Sequence, residues 1–180
     1  MSATPLPGDA TADEMVARMI RVDHAGEYGA KRIYQGQLAV LGRGPKGDVL
    51  RHMKQQEQVH LDTFAELVAR RRVRPTALLP LWHVAGFALG AVSAALGERA
   101  AMACTVAVEE AIDDHYAGQT AALGEDEAGL RDTIEKFRAE ELEHRDIGLA
   151  HGAEQAPGYR LLCTMIKLGC RAAIAVSERV

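Results

Sequence analysis

Glu57-Gln-Val-His60 and Glu141-Leu-Glu-His144 are the two Glu-x-x-His stretches in this chain of 180 residues. Each follows a lone glutamate on a separate predicted helix. Glu27 stands thirty residues before Glu57, and Glu109 thirty-two before Glu141. Residues three apart on an α-helix share a face, so each stretch aims a carboxylate and an imidazole at one point. The order Glu, Glu-x-x-His, Glu, Glu-x-x-His is the ligand pattern of a four-helix bundle that holds two metal ions between its helices. Four carboxylates balance two divalent ions; without metal their crowding is costly unless some are protonated. Oxygen ligands with one histidine per metal suit iron or manganese.

Working outward, the spacing predicts helices over 12–41, from about 48 to 71, 98–123, 128–150 and 158–177. Gly42-Arg43-Gly44-Pro45-Lys46-Gly47 reads as a turn, with Asp48 as the N-cap of the second helix. Gly124 with Glu125-Asp126-Glu127 makes the next turn, and Gly152 and Pro157 precede the last helix. In each half a long helix with a lone Glu, a short turn and a Glu-x-x-His helix repeat in that order. Antiparallel pairing then brings the ligands to one height. The fold class is all-α: one domain over 12–180, with residues 1–11 as a disordered tail lacking the marks of a signal or transit peptide.

Composition narrows function. A net charge of −4 argues against nucleic acid as a partner. The three cysteines include no C-x-x-C, so a rubredoxin-type iron centre is absent. Cys163 and Cys170 are seven apart on one predicted helix, roughly 10 Å along its axis, too far for a disulfide. They read as small apolar residues in a reducing compartment.

Residues 77–97, ALLPLWHVAGFALGAVSAALG, run 21 residues without a charge. Their length suits a membrane span. A single span, however, would put Glu27 and Glu57 on the opposite side from Glu109 and Glu141. The expectation is therefore a helix lying in the membrane interface or against another protein, with Leu89 and Leu96 among its contacts. The alternative is a buried crossover helix. On the last helix Arg160, Lys167 and Arg171 form a basic stripe beside an apolar face, a pattern that suits an anionic lipid surface.

Several longer stretches carry a family resemblance. Arg21-Val-Asp-His-Ala-Gly-Glu-Tyr-Gly-Ala30, Arg74-Pro-Thr with Pro80-Leu-Trp82, Gly86-Phe-Ala-Leu-Gly90, Ala101-Met-Ala-Cys-Thr-Val-Ala-Val-Glu-Glu110 and Glu140-Glu-Leu-Glu-His144 resemble the demethoxyubiquinone hydroxylases of ubiquinone biosynthesis. The match runs from about residue 14 to Ser177-Glu-Arg179. It implies a ferritin-like four-helix bundle with two further apolar or amphipathic helices. It also implies a di-iron centre on Glu27, Glu57, His60, Glu109, Glu141 and His144, with Glu57, Glu141 or both bridging. The implied reaction is ring hydroxylation of a prenylated demethoxy-quinol by O2, with electrons from NADH.

The resemblance further implies a lipid-binding accessory protein and peripheral attachment to the cytoplasmic face of a bacterial inner membrane. Self-association into a homo-oligomer is left open. His115 and Tyr116 match the family motif and read as groups that orient a ligand or the substrate ring. No dinucleotide fingerprint is present, so the reductant contact falls to surface groups, with Arg18, Arg21 and Arg179 as candidates. Asp62 and Asp146 are placed to reach the histidine of the opposite half, and His24 to approach the site. The competing functional reading is a ferritin-like iron-oxidising or peroxide-scavenging protein. It fits the ligands but not the apolar segment.

Overall fold

A computed structural model describes residues 10–180. The expected disordered tail lies outside them except for its last two residues. Thr11 is instead an N-cap: its hydroxyl accepts from Glu14 N–H while the Glu14 carboxylate accepts from Thr11 N–H, a reciprocal box that starts the first helix. Six helices follow: α1 (Ala12–Leu41), α2 (Gly47–Arg70), α3 (Leu79–Ala95), α4 (Glu98–Ala122), α5 (Ala128–Ala150) and α6 (Tyr159–Ser177), with short 3₁₀ turns at Glu125–Glu127 and Ala153–Gln155. Among the described residues there is no strand. The molecule is the expected all-α bundle.

Some helix boundaries differ from expectation. Asp48 does not cap α2; Lys46 holds that position without a side-chain bond. Asp48 sits inside the first turn and takes Arg51 Nη2 at 2.7 Å. Gly158 stands just before α6 at φ +69, a left-handed conformation natural to glycine.

α1–α2 and α4–α5 are hairpins whose short turns make each pair antiparallel. α3 crosses between them, packed on α1 and α4, and α6 lies along α4. Small residues let α3 approach α1. A Cβ on Gly86 would sit 2.8 Å from the Gly29 carbonyl oxygen, and one on Gly90 would run into the Ile33 carbonyl. This Gly-x-x-x-Gly contact brings two backbones together. Two apolar clusters, around Tyr34, Met53 and Met102 and around Ile20, Phe64 and Ile134, fill the bundle's two ends. The polar ligand layer separates them.

The outer surface is unusual. Leu81, Val84 and Val92 on α3, Leu96 at its C-terminal cap, and Leu161, Met165 and Leu168 on α6 are exposed, Leu96 and Leu161 by 68% and 69%. No helix among the described residues is long and apolar enough to cross a membrane. Leu89, expected to join this outer face, turns inward and packs against the core. The basic stripe on α6 also has another role. Lys167 pairs with Glu110, and Arg171 Nη2 lies 3.1 Å from Asp114. Both acids are on α4, so these two cations tie α6 to the bundle.

Candidate metal centre

The ligand layer is built from four helices that each contribute one buried glutamate to it. Glu27, Glu57, Glu109 and Glu141 are at most 1% exposed, and His60 and His144 are fully buried. Their ligand atoms form two groups, Glu27, Glu57, His60 and Glu141, and Glu57, Glu109, Glu141 and His144, each with its atoms within 4.8 Å of one another. Glu57 and Glu141 belong to both. The two lone glutamates each belong to one, so Glu57 and Glu141 are the carboxylates common to both groups.

Both histidines turn Nδ1 inward. His60 Nδ1 lies 3.0 Å from Glu141 Oε1 and 3.4 Å from Glu27 Oε2. His144 Nδ1 lies 3.0 Å from Glu141 Oε2 and 3.2 Å from Glu57 Oε1. Each ring is anchored from behind: His60 Nε2 meets Glu140 Oε2 at 2.6 Å, and His144 Nε2 meets Gln56 Oε1 at 3.0 Å. His60 also stacks on Phe137, with ring centres 4.0 Å apart. Asp62 and Asp146 do not reach the histidines. Asp62 accepts from Gln58, and Asp146 from Arg145.

Two phenols complete the layer. Tyr116 on α4 donates to Glu27 on α1, and Tyr34 on α1 donates to Glu109 Oε1 on α4 at 2.7 Å. Each tyrosine stands seven residues after the lone glutamate of its own helix and crosses to the other. Tyr34 escaped the sequence reading, although its spacing from Glu27 repeats that of Tyr116 from Glu109. Burial, then the neighbouring carboxylates, raises both phenols well above their ordinary value, so they remain donors.

His115 touches no ligand. Its Nε2 is 3.2 Å from Asp23 Oδ1, which also accepts from Gln119 Nε2 at 2.7 Å. His24 belongs to neither ligand group, and its Nδ1 is buried without a partner. Of the arginines considered for a reductant, Arg21 donates to the carbonyl of Arg74 at 2.7 Å and reaches that of Glu178, clamping chain segments together. Arg179, just past α6, donates to Ala175 O near the end of that helix. Arg18 lies near Glu14.

The electrostatics of the layer are those of a cation site. Burial, then the charge of Glu141, raises the carboxyls of Glu57 and Glu109 well above their ordinary value and raises that of Glu27. Burial pushes Glu141 the same way, but its contacts with His144 and His60 prevail and hold it down to about 2. Burial opposes charge on His60, yet Glu141 and Glu27 push that imidazole up to about 12. Both oxygens of Glu57, Glu27 Oε2 and Glu109 Oε2 are buried with no hydrogen-bond partner. Unpaired buried carboxylate oxygens are rare and expensive. Here they converge beside two imidazole nitrogens, a donor set that fits two hard or borderline divalent cations.

The fold and this layer define a class: an all-α bundle protein with a paired carboxylate–histidine centre. Within it, the chain belongs to the family described as Ubiquinone biosynthesis protein COQ7, whose model matches residues 14–177. It is 64% identical over 176 residues to the 3-demethoxyubiquinol 3-hydroxylase of Rhodospirillum rubrum, covering 97% of this chain and 83% of that protein. It is 58% identical over 169 residues to the NADPH-dependent 3-demethoxyubiquinone 3-hydroxylase, mitochondrial, of Homo sapiens, covering 92% and 78%. The 5-demethoxyubiquinone hydroxylase, mitochondrial, of Saccharomyces cerevisiae is 43% identical over 180 residues, covering 91% and 77%. These relatives are hydroxylases by name. NADPH, not the NADH expected above, is the nucleotide that the human name prints.

Proposed function

We propose that this chain is a di-iron monooxygenase that hydroxylates the ring of a prenylated demethoxy-quinol in ubiquinone biosynthesis. O2 is the oxidant, and a reduced nicotinamide nucleotide is the electron source. The observation that carries this is the pair of buried ligand groups sharing Glu57 and Glu141. Bound there, two irons would supply O2 activation by redox cycling. Glu27 and His60 would hold one, Glu109 and His144 the other. Tyr116 and Tyr34 fix the carboxylates of Glu27 and Glu109, and Glu140 and Gln56 fix the two imidazole planes. The ring nitrogens facing the cluster therefore arrive already aimed.

The substrate's prenyl tail has a matching space. An apolar cavity of about 530 Å³ lies between α1, α3, α4 and α6. Gly26 and Ala30 line it beside Glu27, and Val108 and Ile112 beside Glu109. A Cβ on Gly26, Gly29 or Gly169 would meet nothing within 4 Å, so at these positions glycine leaves room open. The exposed apolar residues of α3 and α6 flank the same cavity. These exposed residues support contact with a membrane, and the cytoplasmic face of a bacterial inner membrane is the location proposed for it. An accessory lipid-binding protein would meet the same surface. Filling the cavity with Gly26→Leu is the direct test. Ring hydroxylation of a long-tailed demethoxy-quinol should fall by at least about tenfold, one step of about 1.4 kcal/mol, with both irons retained. Unchanged turnover would place the tail elsewhere.

A further inference from the structure

The two halves of the ligand layer repeat position by position. Glu27 corresponds to Glu109, Glu57 to Glu141, His60 to His144, and Tyr34 to Tyr116, all of one residue type. The outer partner of each histidine follows the same rule. It is the residue immediately before the glutamate of the opposite Glu-x-x-His stretch: Gln56 serves His144, and Glu140 serves His60. Here the repeat breaks. One partner is a neutral amide, the other a carboxylate.

The contacts differ accordingly. Glu140 Oε2 lies 2.6 Å from His60 Nε2, whereas Gln56 Oε1 is 3.0 Å from His144 Nε2. Charge-assisted hydrogen bonds are shorter and stronger than neutral ones. A carboxylate drawing on Nε2–H makes the opposite nitrogen of the ring a better donor and adds negative charge near any cation on that side. Among the described residues, the lysine paired with it is Lys136, whose Nζ is 3.8 Å from Glu140 Oε1, and Glu140 itself is 27% exposed. The mirror position offers no such carboxylate to His144.

From this we infer that Glu140 and Gln56 are positioning residues that make the two metal positions unequal. The position at Glu27 and His60 binds its cation more tightly than the one at Glu109 and His144. This rests on the two-metal reading above and adds an order of filling to it. A cation enters the His60 side first, and the His144 side stays the more readily emptied.

Anaerobic Fe(II) titration of the full chain by calorimetry, with Mössbauer spectra at one and two equivalents, reads this out. The wild type is expected to fill in two resolved steps, the first giving a single iron environment. Outer-partner changes typically alter affinity by roughly 10–100-fold. Glu140→Gln keeps an acceptor for His60, so it should weaken the first step by that factor and merge the two at the weaker end. Gln56→Glu should merge them at the tighter end. Two resolved steps unchanged in both variants would overturn the assignment. A wild type that binds two irons with equal affinity would overturn it too. A chain that binds fewer than two irons would instead remove the two-metal reading on which it rests.

Discussion

Glu109 on α4 is 1% exposed, whereas Val84 on α3 is 65% exposed. In the ligand layer acidic side chains lie inside; along α3 and α6 aliphatic side chains lie outside. Each arrangement costs free energy in an isolated chain, since charge loses water in one and apolar surface keeps it in the other. The remedies differ. On the proposed function, cations would answer the buried acids, and an apolar phase would answer the exposed helices. Stability given up at these places is what a functional site and a docking face require. The connecting segments carry no such conflict, and their substitutions should behave as in any helical protein.

The comparison breaks most sharply at Glu141. Glu141→Ala removes the carboxylate common to both ligand groups and to both histidines. Iron binding should fall beyond the roughly 100-fold that loss of an outer partner costs, with hydroxylation lost in step; metal analysis and product assay check both. Glu57→Leu separates site from fold. With both Glu57 oxygens lacking a hydrogen-bond partner, the metal-free protein should gain about 1–3 kcal/mol in denaturant unfolding, while two-iron binding disappears.

On the outer face, Leu81→Glu with Leu96→Glu should weaken binding to anionic vesicles by at least about tenfold, since each buried leucine contributes roughly 1.5–3 kcal/mol. Iron content should not change. Sedimentation with vesicles decides, and unaltered binding would detach this surface from the membrane. Gly90→Ala puts a Cβ into the Ile33 carbonyl, so the α1–α3 contact must shift. A loss of about 1–3 kcal/mol is expected. Gly29→Ala, whose Cβ meets open space, should cost little.

The smallest effect belongs to a surface pair. Arg71 Nη1 and Nη2 each lie 2.7 Å from a Glu127 oxygen, and Arg71 holds that carboxyl below its ordinary 4.5. A lowered acid contributes stability above its unfolded value and loses it as pH falls through its folded value. Glu127→Gln should therefore cost at most about 1 kcal/mol near neutral pH. That difference should begin to shrink as pH falls below 4.5 and vanish once the pH is below the lowered folded value.

Much of this was legible in the chain. The six ligands declare themselves because a three-residue spacing fixes a helix face, and Tyr34 could have been found by the spacing that singled out Tyr116. Which histidine Gln56 and Glu140 each serve was hidden, since the register of α2 against α5 comes from packing and no local rule supplies it. Asp62 and Asp146 were the plausible but wrong choice for the same reason. The pairing of Lys167 and Arg171 was not visible because their acids lie on another helix. Even so, Glu110 and Asp114 share their four-residue spacing, as two parallel helices in contact would require. The exposure of α3 followed from 21 uncharged residues that could not be a span without splitting the site.

One measurement reaches the central claim directly. Protein purified without oxygen, loaded with Fe(II) and then exposed to O2, is assayed for iron per chain and by Mössbauer spectroscopy. Two irons per chain giving one magnetically coupled diferric signal is the expected result, and Glu141→Ala should abolish it. A single uncoupled iron, or none, would contradict it and leave the buried carboxylates without their cations.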